Sequence, residues 1–208
     1  MTSTAVPPPT LTRLPVYARV LDELVRRGVV TASSVELAAA AGVEPAQLRR
    51  DLSHLGSYGK RGVGYDVAEL RAHVRGALGV GRRRGVVVVG VGNLGRAVAS
   101  YAGLVPRGFE VVALVDVDPA VVGTTVAGVE VADLAELPRL VVERDVSLAV
   151  LTVPGGAAQD ALDAVAASGV RSVLSFAPRA LSVPDGVALR SVDVAAELQI
   201  LSYYLPPV

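Results

Sequence analysis

The 208-residue sequence predicts an α/β chain in two parts: an N-terminal winged-helix (helix-turn-helix) domain, then a Rossmann-type doubly wound parallel sheet with a C-terminal domain-swapped helix. Three observations predict it. The apolar pattern is helical up to about residue 80 and then changes to short β-branched runs alternating with helical segments. A glycine turn, Gly90-Val91-Gly92-Asn93-Leu94-Gly95, directly follows the apolar run at residues 86–89, the context in which such turns cradle phosphates. Charge is partitioned along the chain. Residues 1–84 carry 13 Lys and Arg against 7 Asp and Glu, whereas residues 85–208 carry 7 against 13.

The expected boundaries are a winged-helix domain over 1–80 with its helix-turn-helix at about 17–56, a linker at 81–85, a nucleotide-binding domain over 86–192 and a swapped dimerisation helix over 193–208. The opening MTSTAVPPPT reads as a short disordered arm. A first helix is expected from Leu14 to Arg27, with Val16, Val20, Leu21 and Leu24 on its apolar stripe. Ser33 with Glu36 three residues on forms a capping box for a second helix that Gly42 ends. A third helix starts at Glu44-Pro45 and ends near Gly56, proline suiting a first turn. The stretch from Ser57 to Tyr65, rich in glycine and carrying Lys60-Arg61, suits a hairpin wing. Asp66 caps a fourth helix that runs to about Leu78. Strands are expected at 86–89, 110–115, 148–152, 172–175 and 188–192. Helices are expected at 94–104, 134–144, 157–167 and 195–205, with Asp118 capping a further one.

The basic half has the residues of a DNA reader. In the third helix Leu48, Leu52 and Leu55 form the buried stripe, while Gln47, Arg49, Arg50, Ser53 and His54 occupy the other faces. Arginine pairs with guanine and glutamine with adenine in the major groove, and the start of a recognition helix enters that groove. Gln47 and Arg50 are therefore the expected base contacts, and Arg49, Lys60 and Arg61 the expected phosphate contacts, with Tyr58 also in the wing. The competing reading is a small helical domain with a solvated face.

In the acidic half, Gly90 makes the tight turn, Gly92 admits the pyrophosphate and Gly95 lets helix and strand pack closely. Asp116 ends the next strand, 21 residues past Gly95, where a carboxylate binds the ribose hydroxyls and repels a 2′-phosphate. This favours NAD(H) over NADP(H). Thr152-Val153-Pro154-Gly155-Gly156 follows a strand end and is expected along the cofactor. The alternative for that loop is an ordinary connection.

Composition narrows the function. With no cysteine, a disulfide framework, a thiolate zinc site and a cysteine-ligated cluster are excluded. His54 and His73 are isolated, so no metal site is expected. Residues 85–208 contain no His, Lys or Cys, the usual proton carriers of dehydrogenases. Binding without catalysis is the expectation, and an NAD-dependent oxidoreductase with an accessory helical domain is the alternative. No apolar run would span a bilayer and no secretory leader is recognisable, so a cytoplasmic protein is expected. The segment from Asp193 to Leu205 is apolar around most of its circumference and needs burial on several sides. A second subunit could supply that, or the chain's own sheet.

Over nearly its whole length the sequence resembles the Rex family of redox-sensing repressors. The resemblance is carried by Gln47-Leu48-Arg49-Arg50-Asp51-Leu52-Ser53, Gly56 and Gly59 to Tyr65. It continues in Gly90 to Gly95, Thr152-Val153-Pro154, Ala158-Gln159, Phe176-Ala177-Pro178 and Asp193 with Glu197-Leu198-Gln199. Ser175 departs from the asparagine usual in that family. The resemblance implies a homodimer that exchanges C-terminal helices and binds a palindromic operator. NADH is the effector that releases it, and NAD⁺ competes. It further implies a switch network of Tyr101 and Asp193, with Arg13, just before the first helix, joining Asp193 in the DNA-competent state.

Overall fold

The structure is a computed structural model that describes residues 6–56, 59 and 63–205. It divides into two compact units, Met1–Arg82 and Arg83–Val208. Each has its own apolar core.

The first unit runs α1 (Pro8–Arg26), β1 (Thr31–Ala32), α2 (Ser34–Ala41), α3 (Pro45–Ser53), β2 (Tyr65–Asp66) and α4 (Val67–Ala77). The expected disordered arm is corrected from Pro8 onward, its residues 1–5 lying outside the described residues, and the late start of the first helix is corrected with it. Pro7 is the N-cap of α1 and Pro8 opens it, because a first-turn proline loses no intrahelical bond. The helix also carries Pro15 in its interior, which costs the bond to the carbonyl of residue 11. The two turns before Pro15 are held by tertiary contacts, since Thr10 and Arg13 both bind Asp51 of α3. The buried stripe of α1 is accordingly Thr10, Leu14, Tyr17 and Leu21, with Val16 at its margin.

The capping box at Ser33 forms in full: Glu36 N–H donates to Ser33 Oγ and Ser33 N–H to the Glu36 carboxylate. Gly42 closes α2 in the left-handed region. α3 stops at Ser53, short of Gly56, with Leu48 and Leu52 buried and Leu55 half-buried. In the expected wing, β2 pairs antiparallel with β1, a partner strand the periodicity did not announce. The core joins Leu14, Tyr17, Leu21, Leu48, Leu52 and Leu70 from α1, α3 and α4.

The second unit runs β3 (Arg84–Val89), α5 (Asn93–Ala99), β4 (Phe109–Asp116), β5 (Thr125–Val126), β6 (Val129–Asp133), α6 (Leu137–Glu143), β7 (Val146–Leu151), α7 (Ala158–Ala167), β8 (Ser172–Ser175), β9 (Ala188–Ser191) and α8 (Val194–Ser202). Sheet order is β5-β6-β4-β3-β7-β8-β9. All pairs are parallel except β5 with β6. Apart from that antiparallel edge it is the doubly wound Rossmann order. Successive valines of β3 serve opposite faces. Val87 and Val89 pack with Leu137, Leu140 and Leu162, whereas Val86 and Val88 pack with Leu114 and half-buried Val98.

Five sequence expectations are corrected here. Arg84 and Gly85, placed in the linker, belong to β3, because they pair with Phe109 and Glu110 of β4. β5 and β6 are additional strands. Asp118 caps a turn and not a helix, accepting from Ala120 N–H at 2.9 Å. α5 ends at Ala99, well before Leu104, and α6 is preceded by a 3-10 turn at Leu134–Glu136. Among the described residues, no helix is long and apolar enough to cross a membrane.

Candidate dinucleotide site and candidate nucleic-acid interface

The glycine turn sits at the C-terminal edge of the parallel sheet, between the ends of β4 and β7. Gly90 N–H donates to Val115 O and Thr152 N–H to Val89 O, each at 2.9 Å. Thr152 Oγ1 donates to Gly90 O at 2.6 Å, which fixes the turn to the loop after β7. Gly90 has φ +90°, and a Cβ there would lie 2.7 Å from Val153 Cγ1. At Gly95 a Cβ would lie 2.0 Å from Gly90 O. Gly92 is the N-cap of α5 and offers no side chain to the amides of the first turn.

These elements enclose a cleft of about 440 Å³ lined by Gly90, Gly92, Asp116, Thr152, Val153 and Pro154, together with Val117, Asp118, Val121 and Ala157. Six of the expected cofactor residues thus meet in one place. The other four lie apart from its walls. Val91 is buried, Gly95 packs behind the turn, and Asn93 and Leu94 are exposed on the first turn of α5. Asp116 is oriented by its own backbone surroundings. Its Oδ2 accepts from Val91 N–H at 2.6 Å, and its Oδ1 from Val117 and Asp118 N–H at 2.7 and 3.0 Å. Val117, Asp118 and Val121 were not anticipated as cleft residues; their place just beyond a parallel strand's C-terminal end was the available signal.

On α3, Arg50, Ser53 and His54 are exposed, and Gln47 is half-buried. Arg49 is exposed and donates to Ser34 Oγ of α2 at 3.0 Å. Tyr58, Lys60 and Arg61 fall outside the described residues. The residue the sequence reasoning undervalued is Asp51. It is fully buried on the inner side of α3. Oδ1 accepts from Thr10 Oγ1 (2.9 Å), Arg13 Nη2 (2.7 Å) and Gln47 Nε2 (2.9 Å). Oδ2 accepts from Arg13 Nε (2.6 Å) and Tyr17 Oη (2.7 Å).

Burial opposes ionisation of Asp51, but the hydrogen bonds from Arg13, Tyr17, Thr10 and Gln47 outweigh it and hold its pKa well below the usual carboxylate range. Burial, reinforced by the bond to Asp51, pushes the Tyr17 hydroxyl up to about 12. The only sequence signal was the polar residue Asp51 flanked by the buried positions Leu48 and Leu52.

Arg13 lies within α1, not before it, and its guanidinium is forked onto Asp51. Tyr101 is exposed, and its hydroxyl receives Arg107 Nη1 at 3.4 Å. Asp193 caps α8, accepting from Ala195 and Ala196 N–H at 3.0 and 3.1 Å. α8 itself has no buried residue. Among the described residues no cluster of three or more His, Cys, Asp or Glu could hold a metal ion.

A family model described as a putative DNA-binding protein N-terminus matches residues 5–53, and one described as a CoA binding domain matches residues 82–179. A redox-sensing transcriptional repressor Rex of Streptomyces griseus is 51% identical over 202 residues, 97% of this chain and 80% of that protein. Its counterpart in Syntrophomonas wolfei is 44% identical over 200 residues, 96% of this chain and 95% of that one. The crystal structure of RSP in complex with β-NAD⁺ and operator DNA superposes with a TM-score of 0.90 at 33% identity, covering 96% of this chain and 92% of RSP. RSP in complex with β-NADH gives 0.85 at 32% identity, covering 96% and 94%.

Proposed function

The chain belongs to the Rex family of redox-sensing transcriptional repressors, and from that premise we propose that it represses transcription as a homodimer on a palindromic operator and releases the DNA when NADH binds. NAD⁺ competes for the same cleft without driving release. It is a regulator and not an enzyme, and it works in the cytoplasm. The observation that carries this reading is one chain holding both parts: a helix-turn-helix unit presenting Arg50, and a sheet-edge cleft joining the glycine turn to Asp116 and Thr152-Val153-Pro154.

Within that reading Gly90, Val91, Gly92, Asn93, Leu94 and Gly95 form the pyrophosphate turn, and Asp116 takes the adenosine ribose. Val153 and Pro154 lie along the cofactor. Gln47, Arg49, Arg50, Ser53 and His54, with Tyr58, Lys60 and Arg61, face the operator. A ligand moves a two-state equilibrium only by its affinity difference between states. A shift from about 1:99 to 99:1 needs about 5.5 kcal/mol. Two equivalent cleft sites in a dimer share that requirement.

The deciding experiment is a gel shift on a palindromic operator with NADH and NAD⁺ titrated separately. Release by NADH and protection by NAD⁺ are expected; operator release by neither nucleotide contradicts the proposal. Asp116→Ala is expected to weaken NADH binding about tenfold or more, the loss of hydrogen bonds to a charged acceptor, while operator affinity is retained. Operator release from that variant at the wild-type NADH concentration would remove Asp116 from the ribose site.

α8 supports the homodimer. Leu198 and Leu201 are more than half exposed at 62% and 61%, and Tyr203 and Tyr204 at 84% and 76%. A helix that is apolar all round gains stability only when other surfaces cover it, and a twofold partner can do so reciprocally. Leu198→Glu is expected to convert the dimer to monomer in sedimentation velocity and to abolish tight operator binding. An unchanged sedimentation coefficient would place the dimer contact elsewhere.

A further inference from the structure

We infer that Asp51, which itself reaches no DNA, sets the base preference of Gln47: by accepting from Gln47 Nε2 it leaves the side-chain carbonyl as the reading end, so that Gln47 selects a base bearing an amino group, adenine or cytosine. The inference rests on the reading of α3 as the groove-probing helix.

The two residues are one helical turn apart, and Gln47 Nε2 lies 2.9 Å from Asp51 Oδ1. An ionised carboxylate only accepts hydrogen bonds. The nitrogen end of the amide must therefore face Asp51, since the flipped amide would set oxygen against oxygen. Asp51 cannot swing aside to permit the flip. It is fully buried, and its two oxygens also receive Thr10, both arms of the Arg13 fork and Tyr17. Gln47 is thus tethered to a fixed acceptor, while a solvated glutamine would sample both amide orientations.

The orientation has a consequence in the major groove. Adenine N6 and cytosine N4 present amino donors there, whereas guanine O6 and thymine O4 present carbonyl acceptors. A carbonyl held as the reading end accepts from the first pair and opposes the second. Adenine additionally offers N7 to the second amide hydrogen. An unanchored glutamine could turn its nitrogen toward guanine or thymine and would discriminate less. Asp51 is in this sense a positioning residue.

The test uses the full chain and a library of DNA duplexes with a randomised palindromic half-site. Wild type is compared with Gln47→Ala, Asp51→Asn and the double variant. Wild type is expected to favour adenine or cytosine about tenfold at one position of each half-site, and the enriched base says which. Gln47→Ala and Asp51→Asn should relax that same position, and the double variant should be no more relaxed than Gln47→Ala. A purely structural role would instead lower affinity for every duplex alike and leave the preference intact; that outcome, or a preference for guanine or thymine, overturns the inference.

Nitrogen-15 spectra of the wild-type chain supply a readout independent of whether Asp51→Asn folds. One of the two Gln47 side-chain N–H protons should exchange with water slowly and the other fast. Fast exchange of both overturns the inference. Failure of the wild type to enrich any duplex would sink the repressor reading itself, whereas enrichment with unchanged preference in Asp51→Asn sinks only the role of Asp51.

Discussion

Asp51→Ala is expected to cost the N-terminal unit about 3 kcal/mol, the lower part of the range for removing one partner of a buried ion pair. The lower part applies because the Arg13 side chain keeps 28% of its surface in water, against 1% for Asp51. The loss has three parts. Arg13 keeps its charge with no counterion, and the buried Thr10 and Tyr17 hydroxyls lose their acceptor. The first two turns of α1, which precede Pro15, also lose their tie to α3.

The pH dependence follows from the sign of the shift. Asp51 has its folded-state pKa depressed below the ordinary 3.8, so its contribution is complete above that value and is lost as pH falls below it. Tyr17 has its pKa raised from 10.0 to about 12, so its contribution is complete below pH 10 and is lost as pH rises toward 12. Thermal denaturation of wild type and variant should therefore differ most in the neutral range and converge in acid. A gap between the two that stays constant from pH 7 down to pH 2 would show that ionised Asp51 is not what the fold relies on. Operator affinity at neutral pH should fall with stability, since α3 is the helix left unanchored.

The contrast between Asp51 and Asp116 shows what a sequence can disclose. Asp116 was legible because a local rule places it: a strand after a glycine turn ends in a carboxylate at a set distance, and both features are contiguous in the chain. The N–H groups that donate to it and the cleft walls Gly90, Gly92, Thr152, Val153 and Pro154 follow from the same strand-end geometry. Asp51 gathers partners from 34 to 41 residues away on α1, and no periodicity encodes a hydrogen bond over that separation. The same holds for Arg13: alone it reads as a cation before a helix, and only the tertiary contact reveals its fork onto Asp51.

Strands β5 and β6 escaped because they are short and half polar, as in Thr125-Val126 and Val129-Glu130-Val131; pairing with β4, not propensity, makes β6 a strand. The early start of α1 escaped because proline was read as a disorder signal although it also opens helices. The capping box at Ser33, the cap at Asp66 and the valine run of β3 were read correctly, since each is stabilised within a few residues of itself.

Gly95→Ala should be the most damaging single methyl in the nucleotide-binding unit. The added Cβ would stand 2.0 Å from Gly90 O, 3.0 Å from Gly90 C and 2.9 Å from Thr152 Oγ1. Two of those atoms are backbone, and none is free to yield. Gly90 O is held by Thr152 Oγ1 at 2.6 Å, and Gly90 N–H is held by Val115 O. Nor can α5 retreat without loss, because Val98 and Ala99 pack against the core face that contains Val86 and Val88. Overpacking of a well-packed site costs about 1–3 kcal/mol. If the turn absorbs that strain by opening, the cost appears as weaker NADH binding, about tenfold to hundredfold. The apolar core of the N-terminal unit is built from residues of that unit alone, so α3 should keep its fold. Gly95→Ala should therefore behave as a repressor that stays on its operator at NADH concentrations that release the wild type. Isothermal titration with NADH and a gel shift on the same preparation measure the two halves of that statement. Wild-type NADH affinity in the variant would mean that the contact between α5 and the β3 turn does not shape the cleft. Equal loss of operator and nucleotide binding would mean that the strain spreads through the whole chain and is not confined to the second unit.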